Sequence, residues 1–544
     1  MNGAVPAPGP RPDSGTGTST GTSSPFAVAA IDLGATSGRV MLGVVDHGRL
    51  ELVPAHRFEN RLVRRGGHLC WDLDALWAEI RQGLADAHDL AVVRGLGRLS
   101  SIGVDSWAVD YGLVGPDAVG ADGTPVPGSG ERLGEVIAYR DSRTDGVADE
   151  FARKVSRERQ FALTGIAQQP FNTIYQLLAD DRLAELPAGS ALLMVPDLIG
   201  YLLTGERRTE LTNASTTGML SVTAREWVPE LLEAAGVDRA LLAPLIAPGE
   251  QLGTVRPELG SVLGIGEVPV IAVGSHDTAS AVLAAPASPA AAVENAPVAY
   301  ISSGTWSLIG LELAGAVPSG PALAAGFTNE RGIDGTFRVL KNVAGMWLVS
   351  ESIRQWEDEG AQVDLGDLLE AAASVPGGRF RIDPTDGAFL PPGQMADRVM
   401  AAARPVTGEQ HEDHEDHEDG PERRSTHPRS PAELVRCILE SLAETYRNEL
   451  HTACRLAELP LPSRLHVVGG GSRNALLNQL TADALGIEVV AGPMEATALG
   501  NIAVQARALS AVPSHDGAIR ELIRASVDLE TFSPSSTRAP RASA

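Results

Sequence analysis

Residues 268–282 read V-P-V-I-A-V-G-S-H-D-T-A-S-A-V, and their reading decides the fold class. The run 268–273 is continuously apolar, as in a strand buried on both faces, and it breaks at Gly274-Ser275. From Thr278 onward the residues are small and compatible with a helix. His276 and Asp277 therefore stand where a strand ends and a helix begins, the place where ligands bind in open α/β sheets. Position alone leaves two readings of Asp277 open. Asp is a favoured N-cap, and a carboxylate at a strand end is also placed to take a proton from a substrate hydroxyl.

Working outward, the same economy of strand, small-residue turn and further element recurs. Residues 26–33 form an apolar strand ending in D-L-G-A-T-S-G (32–38), and 39–45 form a second strand. Residues 298–302 are a strand, Ser303-Gly304-Thr305 a tight turn, and 306–313 another strand. Two such hairpins, each opening a large half of the chain, predict a duplicated architecture. Between them, 72–84 place Leu73, Leu76, Ile80 and Leu84 on one helical face, with Asp72 as cap. Residues 99–104 form a strand running into D-S-W-A-V-D (105–110), 116–134 a Gly/Pro-rich loop, and 151–245 a mainly helical stretch. Further on, 433–450 read as a helix, 465–468 as a strand entering Gly469-Gly470-Gly471, and 474–485 as a helix.

The 544 residues exceed one ordinary core, so two large domains are expected. A net charge of -25 argues against general affinity for nucleic acid or anionic membrane. The only lysines are Lys154 and Lys341, and no Gly-Lys-Ser/Thr tripeptide exists, which excludes a P-loop. Three scattered cysteines offer neither a disulfide framework nor metal spacing. With no run of about 20 apolar residues and no signal-peptide pattern, a cytoplasmic location is expected. Residues 1–25 and 531–544 read as a disordered leader and tail, and 404–430, with His-Glu-Asp repeated over 411–419, as a solvated insertion.

Three loops are suited to phosphate. In 32–38, Gly34 and Gly38 permit close backbone approach, Thr36, Ser37 and Arg39 supply donors, and Asp32 suits a phosphate-bound Mg²⁺. Ser303-Gly304-Thr305 is the second loop, and Gly469-Gly470-Gly471, before a helix N-terminus, the third. Each alone is equally an ordinary turn; a triphosphate engages all three together. Asp105, Trp107 and Asp110 suit sugar recognition, acids for hydroxyls and a ring for C–H groups, although Trp107 equally suits a core.

These motifs resemble the FGGY family of carbohydrate kinases, most closely its rhamnulokinase subgroup, over about residues 26–506. The resemblance rests on A-I-D-L-G-A-T-S-G-R (30–39), G-V-D-S-W-A-V-D-Y-G-L (103–113), Y-R-D-S-R-T (139–144), Q-P-F-N-T-I-Y-Q-L (169–177) and P-D-L-I-G-Y-L-L-T-G (196–205). It extends through G-S-H-D-T-A-S-A-V (274–282), S-S-G-T-W-S-L-I-G (302–310), N-V-A-G-M-W-L (342–348) and V-V-G-G-G-S-R-N-A-L-L-N-Q-L (467–480). It implies an α/β, actin-like and ribonuclease H-like fold with the active site in the interdomain cleft. Residues 26–285 are then the sugar side, carrying the catalytic base, and 286–530 the nucleotide side. The implied reaction is Mg²⁺- and ATP-dependent phosphorylation of L-rhamnulose at O1, a step of L-rhamnose catabolism.

By the same resemblance Ala35, Thr36, Ser37, Gly38, Arg39, Thr305, Gly470 and Gly471 contact ATP. Ala108, His276, Asp277, Thr278 and Asn342 contact the sugar, and Asp277 is the proton acceptor. Ala108 stands where some relatives carry Gly, and Ser350 where relatives typically carry Gln. The implied partners are a small ketose and ATP, with no nucleic acid or membrane, and the chain acts as a monomer or small homo-oligomer. The alternatives are another ketose or polyol, such as L-fuculose or D-xylulose, or an actin-like ATP-binding module without kinase chemistry.

Overall fold

Strand Phe26–Leu33 (β1) buries seven of its eight residues, which is why its sequence is a continuous apolar run rather than an alternation. It turns back antiparallel into Ser37–Asp46 (β2), with Leu33 opposite Gly38, and β2 pairs antiparallel with Arg49–Glu59 (β3). On the other side of β1 lies the parallel strand Leu99–Ser106 (β4). Gln251–Thr254 (β5) and Pro269–Ile271 (β6) complete a sheet of order β5-β6-β4-β1-β2-β3. The computed structural model describes residues 24–535 except 122, 287–296, 305, 390, 407–425, 514 and 516. The tract 411–419, Thr305 and residues 1–23 and 536–544 lie outside the described residues.

The second sheet contains Val298–Ser303 (β7), Ser307–Leu313 (β8), Thr328–Arg331 (β9), Phe337–Val343 (β10), Arg464–Val468 (β11), Glu488–Ala491 (β12) and Glu530–Phe532 (β13). Its order is β9-β10-β8-β7-β11-β12-β13, with β7 antiparallel to β8 and parallel to β11. The core β3-β2-β1-β4-β6 of the first sheet thus recurs as β10-β8-β7-β11-β12. The duplication expected from two hairpins is a repeated topology.

Three local expectations need correction. β6 spans three residues, not six, because the backbone of Ala272 is bonded to the 249–250 turn instead of a strand neighbour. At the C-terminus β13 carries order through Phe532, past residue 530, because it pairs with β12 and buries the Phe532 ring. Asp72 does occupy the cap position of Leu73–Val93 (α1), but makes no cap bond; its Oδ1 accepts from Arg65 Nη2 at 3.0 Å.

After β6 comes Asp277–Leu283 (α2), and at the matching place after β12 comes Ala496–Ala508 (α3). These helices pack with backbones in direct approach: a Cβ on Gly500 falls 2.0 Å from Ser280 O, so only glycine fits. The other side of α3 is bolted to the first sheet by polar bonds. Ser101 Oγ donates to Gln505 Oε1 at 2.7 Å, Gln505 Nε2 to Ala29 O at 3.1 Å, and Asn501 Nδ2 to Asp105 Oδ2 at 2.5 Å. An apolar cluster drawing Val28, Ala30 and Met41 together with Ile502 and Val504 fills the join. The ends of β1, β4 and β6 therefore meet the second half across this seam. Among the described residues no helix is long and apolar enough to cross a membrane.

Candidate active site

The junction after β6 is held from beneath by a buried carboxylate. Glu210, 1% exposed, accepts at Oε2 from Ser275 N (3.1 Å), Ser275 Oγ (2.7 Å), Thr212 Oγ1 (2.5 Å) and Asn213 N (3.2 Å). Its Oε1 accepts from Thr212 N at 2.8 Å, and His276 N donates to Thr212 Oγ1 at 3.2 Å. Ser106 N, at the end of β4, donates to Ser275 O at 2.9 Å. The loop is thereby fixed on both sides.

His276, not Asp277, is the N-cap residue of α2, and Asp277 opens the helix proper. Asp277 Oδ1 accepts from Thr278 N at 2.6 Å and Thr278 Oγ1 at 3.1 Å, and lies 3.4 Å from His276 Nε2. No hydrogen bond from the described residues reaches Oδ2. With 31% of its side chain accessible, Asp277 is half-buried and presents an uncommitted oxygen to open space.

Two deeper carboxylates stand behind it. Burial raises the pKa of Asp32, opposed by Arg39, with the charges of Asp277 and Glu495 adding to the rise. Asp105, fully buried, is pushed well above the usual carboxylate range by burial and by Asp32, with a bond from Asn501 acting the other way and Asp277 adding to the rise. Its Oδ1 has no hydrogen-bond partner among the described residues. Two adjoining buried carboxylates, Asp32 and Asp105, the second with an orphaned oxygen among the described residues, fit a divalent cation that takes one or two carboxylates and keeps its waters. The described residues contain no group of three or more such ligands that alone closes around a metal.

Arg39 lies between Asp32 and Glu495. Its Nε is 2.8 Å from Asp32 Oδ2, and its Nη1 pairs with Glu495 Oε2. Arg57 Nη2 also donates to Glu495 Oε1 at 2.8 Å. Glu495 immediately precedes α3, so these pairs tie the β1–β2 turn, with Ala35 half-buried and Thr36 and Ser37 exposed, to the second half. Gly38 is small because Phe58 fills the space a Cβ needs, at 2.2 Å. Two residues before Glu495, Pro493 O accepts from Gly469 N at 2.9 Å. Gly469 and Gly471 in turn press on Ser303: a Cβ on Gly471 falls 1.9 Å from Ser303 Oγ. The three glycine loops are thus linked through 493–495, with Gly470 exposed on their open side.

Gly469 sits at φ 85°, ψ -172°, a region that only glycine visits readily, and a Cβ there meets Ser303 O at 2.8 Å. Gly469→Ala is expected to destabilise the fold by about 1–3 kcal/mol, read by chemical denaturation; an unchanged midpoint contradicts the strained turn.

The cluster Asp105, Trp107 and Asp110 is divided. Trp107 is core, packed on Trp71 at 4.3 Å between ring centroids. Both indoles donate to Asp110 Oδ2, at 2.6 Å from Trp71 and 3.0 Å from Trp107; Tyr139 N and Gln176 Nε2 also donate to Asp110. Asp105 alone faces the other way, toward Asp32 and Asn501. Ala108 is half-buried beside Val109, whose φ of 68° is unusual for a β-branched residue and whose carbonyl is held by Thr173 Oγ1 at 2.7 Å. Asn342 is exposed at the end of β10, on the face that carries Arg338, and no contact among the described residues joins it to His276 or Asp277. Glu210, Glu330, Arg338 and Glu495 escaped the sequence reading. Glu is a poor cap residue, so T-E-L-T-N gives no local signal that Glu210 is an anchor.

Burial pushes Asp110 up to about 6 against bonds from Trp71, Tyr139, Gln176 and Trp107 that favour the charged form. The folded state therefore holds this proton more tightly than the unfolded chain, so the stabilisation is complete below about pH 4 and lost as pH rises through about 6. Asp110→Asn removes the titration. The difference in unfolding free energy, wild type minus variant, is expected to fall between those pH values and to be level above pH 7; a difference flat throughout contradicts it.

Residues 27–284 match the FGGY family of carbohydrate kinases, N-terminal domain, and 299–509 the C-terminal domain of that family. The chain is 40% identical over 507 residues to a rhamnulokinase of Bacteroides thetaiotaomicron, covering 93% of this chain and 95% of the relative. It is 40% identical over 511 residues to a rhamnulokinase of Pectobacterium carotovorum, covering 93% of each. The fold is that of solved structures at low identity, including a glycerol kinase of Plasmodium falciparum with ADP (TM-score 0.71, 15% identity, 94% of each chain covered). The two-domain actin-like architecture, the glycine loops gathered where the halves meet and these matches lead to one statement: the chain belongs to the FGGY family of carbohydrate kinases.

Proposed function

We propose that this carbohydrate kinase is a rhamnulokinase, transferring the γ-phosphoryl group of ATP to O1 of L-rhamnulose in L-rhamnose catabolism, with Asp277 as the proton acceptor. The observation that carries the mechanism is the arrangement of Asp277: Oδ1 is fixed by Thr278 and lies beside His276 Nε2, while no hydrogen bond from the described residues reaches Oδ2. The identity of about 40% to two rhamnulokinases supports the choice of sugar. Phosphoryl transfer passes through a loose transition state, so the protein's work is positioning and charge stabilisation. A base there accepts its proton late and needs placement more than strength.

In this reading Ala108, His276, Thr278 and Asn342 orient the ketose, and Asp277 holds the proton leaving O1. The N–H groups of 35–38, Thr305 and Gly470-Gly471 receive the nucleotide phosphates, and Arg39 supplies positive charge. Asp32, with Asp105 behind it, is the group that would hold Mg²⁺. When bound, that ion neutralises phosphate charge. A panel of L-rhamnulose, L-fuculose and D-xylulose with ATP, read by phosphorylated product, is expected to give L-rhamnulose the highest kcat/KM, by about tenfold or more. Preference for another ketose overturns the sugar, and ATP hydrolysis indifferent to every sugar overturns the role of Asp277.

A further inference from the structure

His276 belongs to the first half, yet among the described residues its Nδ1 meets only residues of the second. Arg338 Nη2 donates to Nδ1 at 3.1 Å. Glu330 Oε2 lies 3.2 Å from Nδ1 and 3.1 Å from Arg338 Nη2, but makes no directed hydrogen bond with either. Arg338 is fully buried on β10, and its Nε and Nη2 also donate to Arg331 O, at 3.3 and 3.1 Å. Its position is therefore fixed by its own strand and the neighbouring one. On the opposite side of the ring, Nε2 faces Asp277 Oδ1 at 3.4 Å.

A guanidinium has donors and no acceptor, and stays protonated in proteins. The contact with hydrogen-bond geometry is the one with Arg338, and at 3.1 Å it calls for a lone pair on Nδ1, against the pull of the Glu330 carboxylate at 3.2 Å for a proton there. A proton there would set donor against donor, and an imidazolium would set cation against cation. A neutral imidazole with a lone pair on Nδ1 carries its proton on Nε2. We infer that Arg338 is a positioning residue that fixes His276 as its Nε2–H tautomer from across the seam, with Glu330 as the counter-charge of Arg338. His276 is then a permanent donor beside Asp277. It satisfies Oδ1 or a sugar oxygen and leaves Oδ2 to take the proton. That the donor meets a sugar rests on the kinase reading above; the tautomer does not.

The test uses the full chain with ¹⁵N-labelled histidine, free of ligand, near neutral pH. The ring signals of His276 are assigned by their loss in His276→Gln. A proton on Nε2 with none on Nδ1 is expected; a proton on Nδ1, alone or together with Nε2, overturns the assignment. Glu330→Gln is expected to keep the tautomer, since the carboxylate is not the proton's partner, and a switch to Nδ1–H in that variant also overturns it. In Arg338→Met the tautomer preference is expected to be lost. KM for the ketose should rise about tenfold or more, as for loss of a charge-assisted bond, while KM for ATP is unchanged. Arg338→Lys, keeping a cationic donor, should recover part of the loss. Equal changes in both KM values mark a merely structural role. If Arg338→Met does not fold, the wild-type and Glu330→Gln spectra still decide the tautomer, and failure of the ketose panel leaves that decision intact.

Discussion

Asp277→Asn is expected to lower kcat by about a hundredfold or more, the loss typical of removing a positioned general base. The amide oxygen still accepts from Thr278 N, so the start of α2 keeps its local bond. The side chain is also 31% accessible, so stability should stay within about 0.5 kcal/mol of wild type. That separates the two readings of the residue. A base loses turnover while the fold is unaffected; a residue that only braces the helix keeps both turnover and stability in this variant, because the amide oxygen keeps the bracing bond. Steady-state kinetics and a denaturation curve on one preparation distinguish them, and near-normal kcat sinks the base assignment.

Glu210→Ala is expected to cost both stability and activity. Its carboxylate serves three backbone N–H groups and two hydroxyls in a site with 1% exposure. Each buried donor left unpaired costs about 1–3 kcal/mol and the costs do not add fully. A total of about 4 kcal/mol belongs among the largest effects of single substitutions. Ser275 loses its anchor with it, and His276 and Asp277 follow Ser275. A misplacement of about 1 Å at a catalytic group costs about a hundredfold, so kcat/KM should fall by that order even where the variant remains folded. Glu210→Gln should be milder in stability, because one oxygen still accepts, although its amide N–H₂ then opposes the donors of Ser275 or Thr212. A Glu210→Ala variant as stable as wild type would falsify the anchor.

A second carboxylate makes this anchor unusual. Asp197 Oδ1 accepts from Glu210 N at 3.0 Å, while its Oδ2 has no hydrogen-bond partner among the described residues. Burial and the charge of Glu210 push Asp197 well above the usual range. Glu210 is raised by burial too, but donors from Thr212 and Ser275 support its charged form. The environments separate the two groups, pushing Asp197 further up than Glu210, whose charge the Thr212 and Ser275 donors support.

What the sequence determined by itself is local and periodic. The buried runs at 26–33 and 298–302 could only be strands covered on both faces, the small residues following them could only be turns, and repetition of that device gave the duplicated halves. Asp277 was legible because a polar pair interrupts an apolar run just where a helix starts. The tertiary structure decided which side chains those turns would meet. It sent Trp107 into the core with Trp71, turned Asp110 inward to hold two indoles, gave the cap of α2 to His276, and set Glu210 beneath Ser275. It also placed Arg338 against His276 and Glu495 against Arg39. Arg338 and His276 stand 62 positions apart, Glu210 and Ser275 65, and Glu495 and Arg39 456, and nothing in the intervening chain marks them. Backbone preference acts over a few residues and leaves its trace in composition, whereas a buried charge finds its partner only when packing removes water from both.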